Sequence, residues 1–427
     1  MNQNDQNEEP KKDVGKIFLE ELTRSSGSKT GKRGIGQVAL IPLLSIITGL
    51  ILGGIFIVLT TEDVYAAYKL SFWEGLSVTW RTLYVSYSAL FTGSIGDPGR
   101  IITALGSGDL AMIRRAFNPF FESLVAATPY IFAGLALGLG FRSGVFNIGA
   151  EGQIFIGAIT GTYVGYSIQG LPMIIHLPLT ILAGAVGGAI WGFIPGWLKA
   201  KTGGHEVINT IMMNYIAFRL SDWLLTGFMK RPDSFNPVSP IIMDSAKLPR
   251  FFADPIRFHL GFFLALATAY LVYWLLFKTT IGFRLRTVGS NPNAGKYAGM
   301  NVTGTIILSM TISGALAGLA GINEVSGVTH NLAMAFSSGY GFDAIALALL
   351  GGNHPLGIVL AALLFGTLRN GATRMQVAAN IPIDIISILQ AVILMFVAAP
   401  AIIRTIYRLK KPKEAEQSIA IRGWGGK

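Results

Sequence analysis

The 427-residue chain contains no cysteine, which removes disulfides, thiolate nucleophiles and cysteine metal sites together. Charge is scarce too. Asp, Glu, Lys and Arg make up 13% of the residues against 51% hydrophobic ones, at a mean hydropathy of +0.53, whereas ordinary soluble domains carry roughly 25% charge. Its five histidines, His176, His205, His259, His330 and His354, are scattered without the HExxH spacing of a zinc hydrolase. There is no GxxxxGK[ST] phosphate loop, so the chain is not expected to bind and hydrolyse ATP alone. No catalytic constellation is left, and no metal site is expected.

What the sequence does have is long apolar blocks. Measured against about 20 residues per membrane span, they fall at 37-60, 123-141, 145-168, 172-198, 206-226, 258-277, 303-324, 342-352, 355-370 and 382-403. This predicts an all-α polytopic membrane protein with about ten transmembrane helices, a permease-like domain over 37-404 between tails at 1-36 and 405-427. The blocks at 342-352 and 355-370 are short and parted by Gly351-Gly352-Asn353-His354-Pro355. They are expected to be paired or broken helices sheltered by protein.

The net charge of +11 sits beside the spans and in the tails, where lipid headgroups and topology explain it without nucleic acid. With both tails in the cytoplasm, the inner side carries 21 of the 34 Lys and Arg, whereas the outer segments 61-122 and 227-257 carry five each. That bias predicts a multi-pass protein of the cytoplasmic membrane with both termini inside. The polar tail at 1-36 makes a poor secretory signal, so the first span is expected to act as an uncleaved anchor. Segment 61-122 reads as an external or interfacial loop, with Trp73, Trp80, Tyr84 and Tyr87 suited to a helix at the outer interface or a short re-entrant element.

An internal duplication is expected as well. Spans one to five and six to ten would form two five-helix halves, inverted because five is odd. SGVFNIGA at 143-150 and GYGFDAIA at 339-346 share Gly and Phe before Asn147 or Asp343, which suits an inverted-repeat transporter with a midplane site.

Polar residues inside spans are the candidate site. If 145-153 is helical, Asn147 and Glu151 share a face and Gln153 points elsewhere. Three roles are open for them: fixing helix packing, lining a translocation route, or proton coupling by Glu151. Glu206, Asn209 and Met213 share a face of the next helix but one, with Asn214 off it; Glu206 could simply cap that helix. Phe146, Asn147, Glu151, Gln153, Asn209, Asn214 and Asp343 are therefore the expected pathway residues, Phe146 as an aromatic wall. Between 278 and 302, Gly289-Ser290-Asn291-Pro292 predicts a turn into a short helix carrying Lys296 and ending near Gly299. A plain linker needs none of this, and the segment is expected to dock a cytoplasmic partner.

FNIGAEGQ (146-153), GGHEVINTIMMNYIA (203-217), GSNPNAGKYAGMN (289-301) and FDAIALALLGG (342-352) together resemble the permeases of ABC importers in the branched-chain amino acid and ribose superfamily. The first two resemble its nucleoside-uptake branch, which works with basic-membrane-protein family lipoproteins. The resemblance runs from about residue 120 to 405 and implies a type II ABC importer-like fold. It also implies a second related permease as heterodimer partner, an extracytoplasmic substrate-binding lipoprotein, and a cytoplasmic ABC ATPase that holds ATP and Mg²⁺ and receives Gly289 to Met300 as coupling loop. The function so implied is nucleoside import by alternating access. A pentose or branched-chain amino acid importer remains an alternative, and so does an ion-coupled secondary transporter using Glu151 or Asp343.

Overall fold

The structure, a computed structural model, describes residues 35–409; the expected tails at 1-36 and 405-427 lie largely outside that range. It divides into two units. One joins residues up to Thr48 with those from Ala399, and within it the hydroxyls of Thr48 and Tyr407 are hydrogen-bonded at 2.9 Å. The other, Gly49–Ala398, holds the transmembrane core.

The chain is an all-α polytopic membrane protein. Its helices are α1 (Ile35–Thr60), α2 (Glu62–Leu70), α3 (Phe72–Ser94), α4 (Pro98–Ser107), α5 (Leu110–Arg142), α6 (Ala150–Ser167), α7 (Met173–Thr202) and α8 (Glu206–Thr226). A long irregular segment then leads to α9 (Gly261–Lys278), α10 (Thr280–Ser290), α11 (Pro292–Tyr297), α12 (Val302–Glu324), α13 (Tyr340–Leu350), α14 (Pro355–Ala379), α15 (Ile383–Ala398) and α16 (Pro400–Ile406). Among the described residues, six helices are long and apolar enough to cross a membrane: α1, α5, α7, α9, α14, and α12 together with the π-turn Val325–Thr329 that extends it. The rest of the ten expected blocks form α6, α8, α13 and α15, which are shorter or richer in polar residues.

Two segments expected to connect spans carry more helix than the short elements expected within them. Segment 61-122, read as a loop, is helical over most of its length, as α2, α3, α4 and the first turns of α5. Its start signals are local: the Asp97 side chain accepts from Gly99 N, with Pro98 in the first turn of α4, and the Asp109 side chain accepts from Ala111 N at the start of α5. Low apolar content hid α3, yet α3 packs on α14 through a polar knot. Ser94 Oγ donates to Thr367 O (2.8 Å), Ser123 Oγ donates to Ser94 O (2.7 Å), and Asn370 Nδ2 donates to both Gly93 O (3.0 Å) and Pro119 O (2.8 Å). The stretch 278-302 contains the expected short helix as α11, preceded by a further helix, α10.

The packing pairs the long helices in the way two related halves would. The long helices α5 and α12 lie against one another at the centre, α14 packs along α5, and α7 packs along α12 in the equivalent place. Between α7 and α12 the approach is backbone to backbone. A Cβ on Gly188 would overlap the Gly314 carbonyl oxygen, and one on Gly318 would overlap that of Gly184. Lipid tails give no hydrophobic preference for helix pairing, so close van der Waals contact between small residues has to hold these helices together.

We expect Gly188→Val to destabilise the detergent-solubilised protein by about 1–3 kcal/mol, the usual effect of overpacking. Gly106→Ala is the control, because a Cβ there meets nothing within 4 Å. Thermal unfolding followed by tryptophan fluorescence should show a lowered midpoint for the first variant and an unchanged one for the second.

Candidate functional site

The first turn of a helix has amides without intrahelical partners, and in a membrane no water is at hand to satisfy them. Both α6 and α13 begin behind a glycine, Gly149 and Gly339, which has no side chain to cap with; Gly339 also stands at φ +89°, where a side chain would be strained. Each helix borrows its cap. The side chain of Asn214, from α8, accepts from Gly152 N at 2.8 Å and donates to Ile148 O at 3.0 Å. Glu151, from the first turn of α6, accepts from Gly341 N at 2.6 Å through Oε2. The starts of the two helices therefore meet, and a Cβ on Gly341 would overlap the backbone of Glu151.

The residues expected in the pathway separate into groups. Residues 143-149 form turns rather than helix, so Asn147 and Glu151 do not share a helix face. Instead Asn147 Oδ1 accepts from Gly149 N (3.1 Å), and Asn147 Nδ2 donates to Gln153 Oε1 (2.9 Å) and Ser313 Oγ (2.8 Å). Ser313 Oγ in turn donates to Ala136 O at 2.8 Å. Asn147, Gln153 and Asn214 are each about 1% exposed, and their hydrogen bonds tie α6 to α5, α8 and α12. Phe146 lies at the surface with its ring 5.2 Å from that of Phe141. Asn209 is half-buried near Gly204, away from the others. Asp343 accepts from the Tyr130 hydroxyl (2.9 Å) and pairs with Arg369 Nη1 at 3.6 Å. Glu206 pairs with Lys199 at 2.5 Å.

Glu151, itself only 2% exposed, lines an open cleft. The cleft holds about 400 Å³ and is lined by Glu151 and Phe155 of α6, by Tyr215, Phe218, Arg219 and Asp222 of α8, and by Ala335, Ser337, Gly339 and Phe342. Phe155 has a ring neighbour on each side, Phe218 and Phe336, both at 4.8 Å. Arg219 Nη1 lies 3.4 Å from Asp222 Oδ2, and both side chains keep contact with solvent. The irregular segment 330-339 on one side of the cleft is anchored by the loop after α8: Ser239 N donates to Leu332 O (2.8 Å), Ser239 Oγ accepts from Leu332 N (2.9 Å), and Ile242 N donates to His330 O (3.0 Å). Burial, with Lys247 and Arg250 adding to it, holds the His330 imidazole below its usual range, so the ring is neutral and Nε2 accepts from Arg250 Nη2 at 3.1 Å.

Several of these residues escape a reading by sequence. Arg369 is one of two arginines in α14, and Arg219 with Asp222 are charges within α8; each could have been flagged as an intramembrane ionisable group. The aromatic residues of the cleft carry no such signal, since Phe155 and Phe218 look like any core position.

The candidate docking segment has the local structure its residues predict, in more compact form. Gly289 and Ser290 end α10, and Asn291 alone makes the turn, its Oδ1 accepting from Asn293 N (3.0 Å) and Ala294 N (3.1 Å) ahead of Pro292. Lys296 is exposed, Tyr297 is 97% exposed, and Gly299 terminates the segment at φ +75°.

The profile of the family described as Branched-chain amino acid transport system / permease component matches residues 120–398. A guanosine ABC transporter permease protein of Bacillus subtilis is 39% identical, over 88% of this chain and 97% of its own length. A nucleoside ABC transporter permease protein of Lactococcus lactis is 33% identical, over 90% and 97%, and a glucose ABC transporter permease protein of Haloferax volcanii is 38% identical, over 64% and 74%. The same Bacillus and Lactococcus strains each have a second similar permease of the same kind, at 30% and 28% identity. No solved structure matches the chain. A profile match across both halves, on a chain that folds as paired helices capping one another inside a membrane, places this protein in the branched-chain amino acid transport system permease family.

Proposed function

We propose that the chain is the membrane-spanning subunit of an ATP-driven nucleoside importer. The observation that carries this reading is the cleft of about 400 Å³, a volume typical of small-molecule sites. A nucleoside presents a flat base and a polar ribose. Phe155, Tyr215, Phe218 and Phe342 offer ring faces for the first, and Glu151, Arg219, Asp222 and Ser337 offer donors and acceptors for the second. Guanosine and nucleoside permeases at 39% and 33% identity over almost the whole chain support the same solute class.

In this reading Glu151 has a double task. It caps α13, and its carboxylate faces the cleft, so any change in how α13 sits alters the wall that the solute meets. The exposed apolar face of α8, with Ile208, Met212, Tyr215, Ile216 and Trp223, continues from the cleft and suits a second, related permease. The paired permeases of the two nucleoside systems support a heterodimer. Segment α10–α11 docks a cytoplasmic ATPase, which binds ATP and Mg²⁺, and a lipid-anchored binding protein delivers the solute from outside. Both termini lie in the cytoplasm.

A sugar is the second reading, favoured by the glucose permease at 38% identity. Proteoliposomes holding this chain with its partner permease and ATPase separate the two: we expect uptake of labelled guanosine that requires internal ATP, is blocked by unlabelled nucleosides and is untouched by excess glucose. Competition by glucose alone would replace nucleoside by sugar, and uptake that follows a proton or sodium gradient without ATP would sink the importer reading.

Two substitutions separate the solute wall from the scaffold. Glu151→Gln keeps an acceptor for Gly341 N but removes the charge, and should lower uptake about tenfold, as loss of a charged hydrogen bond does, with the complex still assembled on size exclusion. Asn214→Leu strips the cap from α6 and should lower stability by about 1–3 kcal/mol, read as a lower thermal midpoint and a lower yield of assembled complex.

Replacement of Ser290, Asn291 and Pro292 by alanine should leave the chain in the membrane but abolish solute-stimulated ATP hydrolysis by the purified complex. Normal stimulation would remove the docking role.

A further inference from the structure

We infer that Arg142 passes movement of the α10–α11 segment to the half-helix α13; the inference rests on the docking role proposed above for that segment. Arg142 is the last residue of α5, and its main chain and side chain face different elements. On the main-chain side, Gly289 at the end of α10 lies against Arg142 and the turn after it. A Cβ on Gly289 would stand 2.5 Å from both the Arg142 carbonyl oxygen and the Ser143 carbonyl carbon, and one on Gly144, at φ +70°, would stand 2.8 Å from Gly289. Neither glycine has room for a Cβ, so the end of α10 and the 142-144 turn lie in direct backbone contact.

The side chain reaches the other way. Arg142 Nε donates to Asn353 O at 3.0 Å and Nη2 donates to Gly352 O at 3.3 Å. These carbonyls follow directly on the C-terminus of α13, where the helix dipole favours a cation. The same guanidinium lies 5.6 Å from the centre of the Phe277 ring in α9, which also carries Arg286 at 5.2 Å and the His354 ring at 5.5 Å. One arginine thus joins the ends of α9 and α13 while its own backbone carries α10.

The opposite end of α13 is tied to the same stretch of chain. Residues 143-149 lead from Arg142 into α6, and there Glu151 holds the Gly341 amide at 2.6 Å. Helix α13 is therefore held at its C-terminal end by Arg142, the last residue of α5, and at its N-terminal end by Glu151 in the first turn of α6, nine positions apart across the connecting turn that rests on Gly289. A push on α10–α11 moves that turn, and the turn carries both grips, so α13 and the Gly339 and Phe342 wall of the cleft move with it. Arg142 is a positioning residue: it touches no solute, and it acts by making α13 follow.

The test uses the complete complex in proteoliposomes. Arg142→Ala should lower solute-stimulated ATP hydrolysis and the uptake per ATP about tenfold, the factor expected from loss of a charge-assisted hydrogen bond, with unstimulated hydrolysis and thermal midpoint unchanged. Arg142→Lys keeps the charge but not the two-pronged grip and should recover only part of the coupling. Stimulation within twofold of wild type would overturn the inference, as would a loss that is matched by a falling thermal midpoint. Should Arg142→Ala fail to assemble, the cysteine-free chain permits spin labels at Phe283→Cys in α10 and Leu349→Cys in α13 of the otherwise wild-type protein. Their separation should be the same in the nucleotide-free and ATP-bound complexes, and a change between these states would equally overturn it. A wild-type complex with no ATP-dependent uptake would instead overturn the importer reading, and this inference with it.

Discussion

The hydrogen bond from the Gly341 amide to the Glu151 carboxylate joins the starts of α6 and α13, and it answers a constraint set by the membrane. Two helices that begin in the interior of such a protein open their first amides away from bulk water, and each group left unmet there would cost several kcal/mol. Glycine N-caps at 149 and 339 leave both helices dependent on another element. Asn214 serves one and Glu151 the other, so the position of each half-helix is decided by its neighbours rather than by its own sequence. An aqueous cleft can form against such an arrangement without exposing bare backbone.

The close packing of α7 on α12 has the same origin in the bilayer. Because hydrocarbon solvates leucine as well as protein does, association has to come from short backbone contacts and from polar knots such as Ser94, Ser123 and Asn370. A rigid frame follows. Between α5 and α6, residues 143-149 are irregular and contain two glycines, Gly144 and Gly149.

Membership of the permease family and the chemistry of the cleft bear on different questions. The family fixes the class of machine, whereas the proposed solute class rests on the ring faces and the few charged groups that line the cleft. Those groups come from three separate stretches of chain, near 151-155, 215-222 and 335-342. The packing of α6 against α8 and against the start of α13 brings them together.

The class of protein was legible from composition, because apolar blocks of span length with little charge have no other stable home; the break at 351-354 was legible too, although the block after it continues to Ala379 as a helix long enough to cross a membrane. The turn at Asn291-Pro292 was legible as well, since capping and proline chemistry act over three or four neighbouring residues. Periodicity failed at α3, which is too polar to register as a span, and at Asn147, which lies in a turn and bonds to Gln153 where a continuous helix would have sent them apart. By itself the sequence determined the membrane, the helices and their local stops, all short-range matters of solvation and backbone geometry. Tertiary structure alone decided that Asn147, Gln153 and Asn214 hold the frame while Glu151 faces the cleft, because what a buried polar group does depends on which distant donor or acceptor is folded against it.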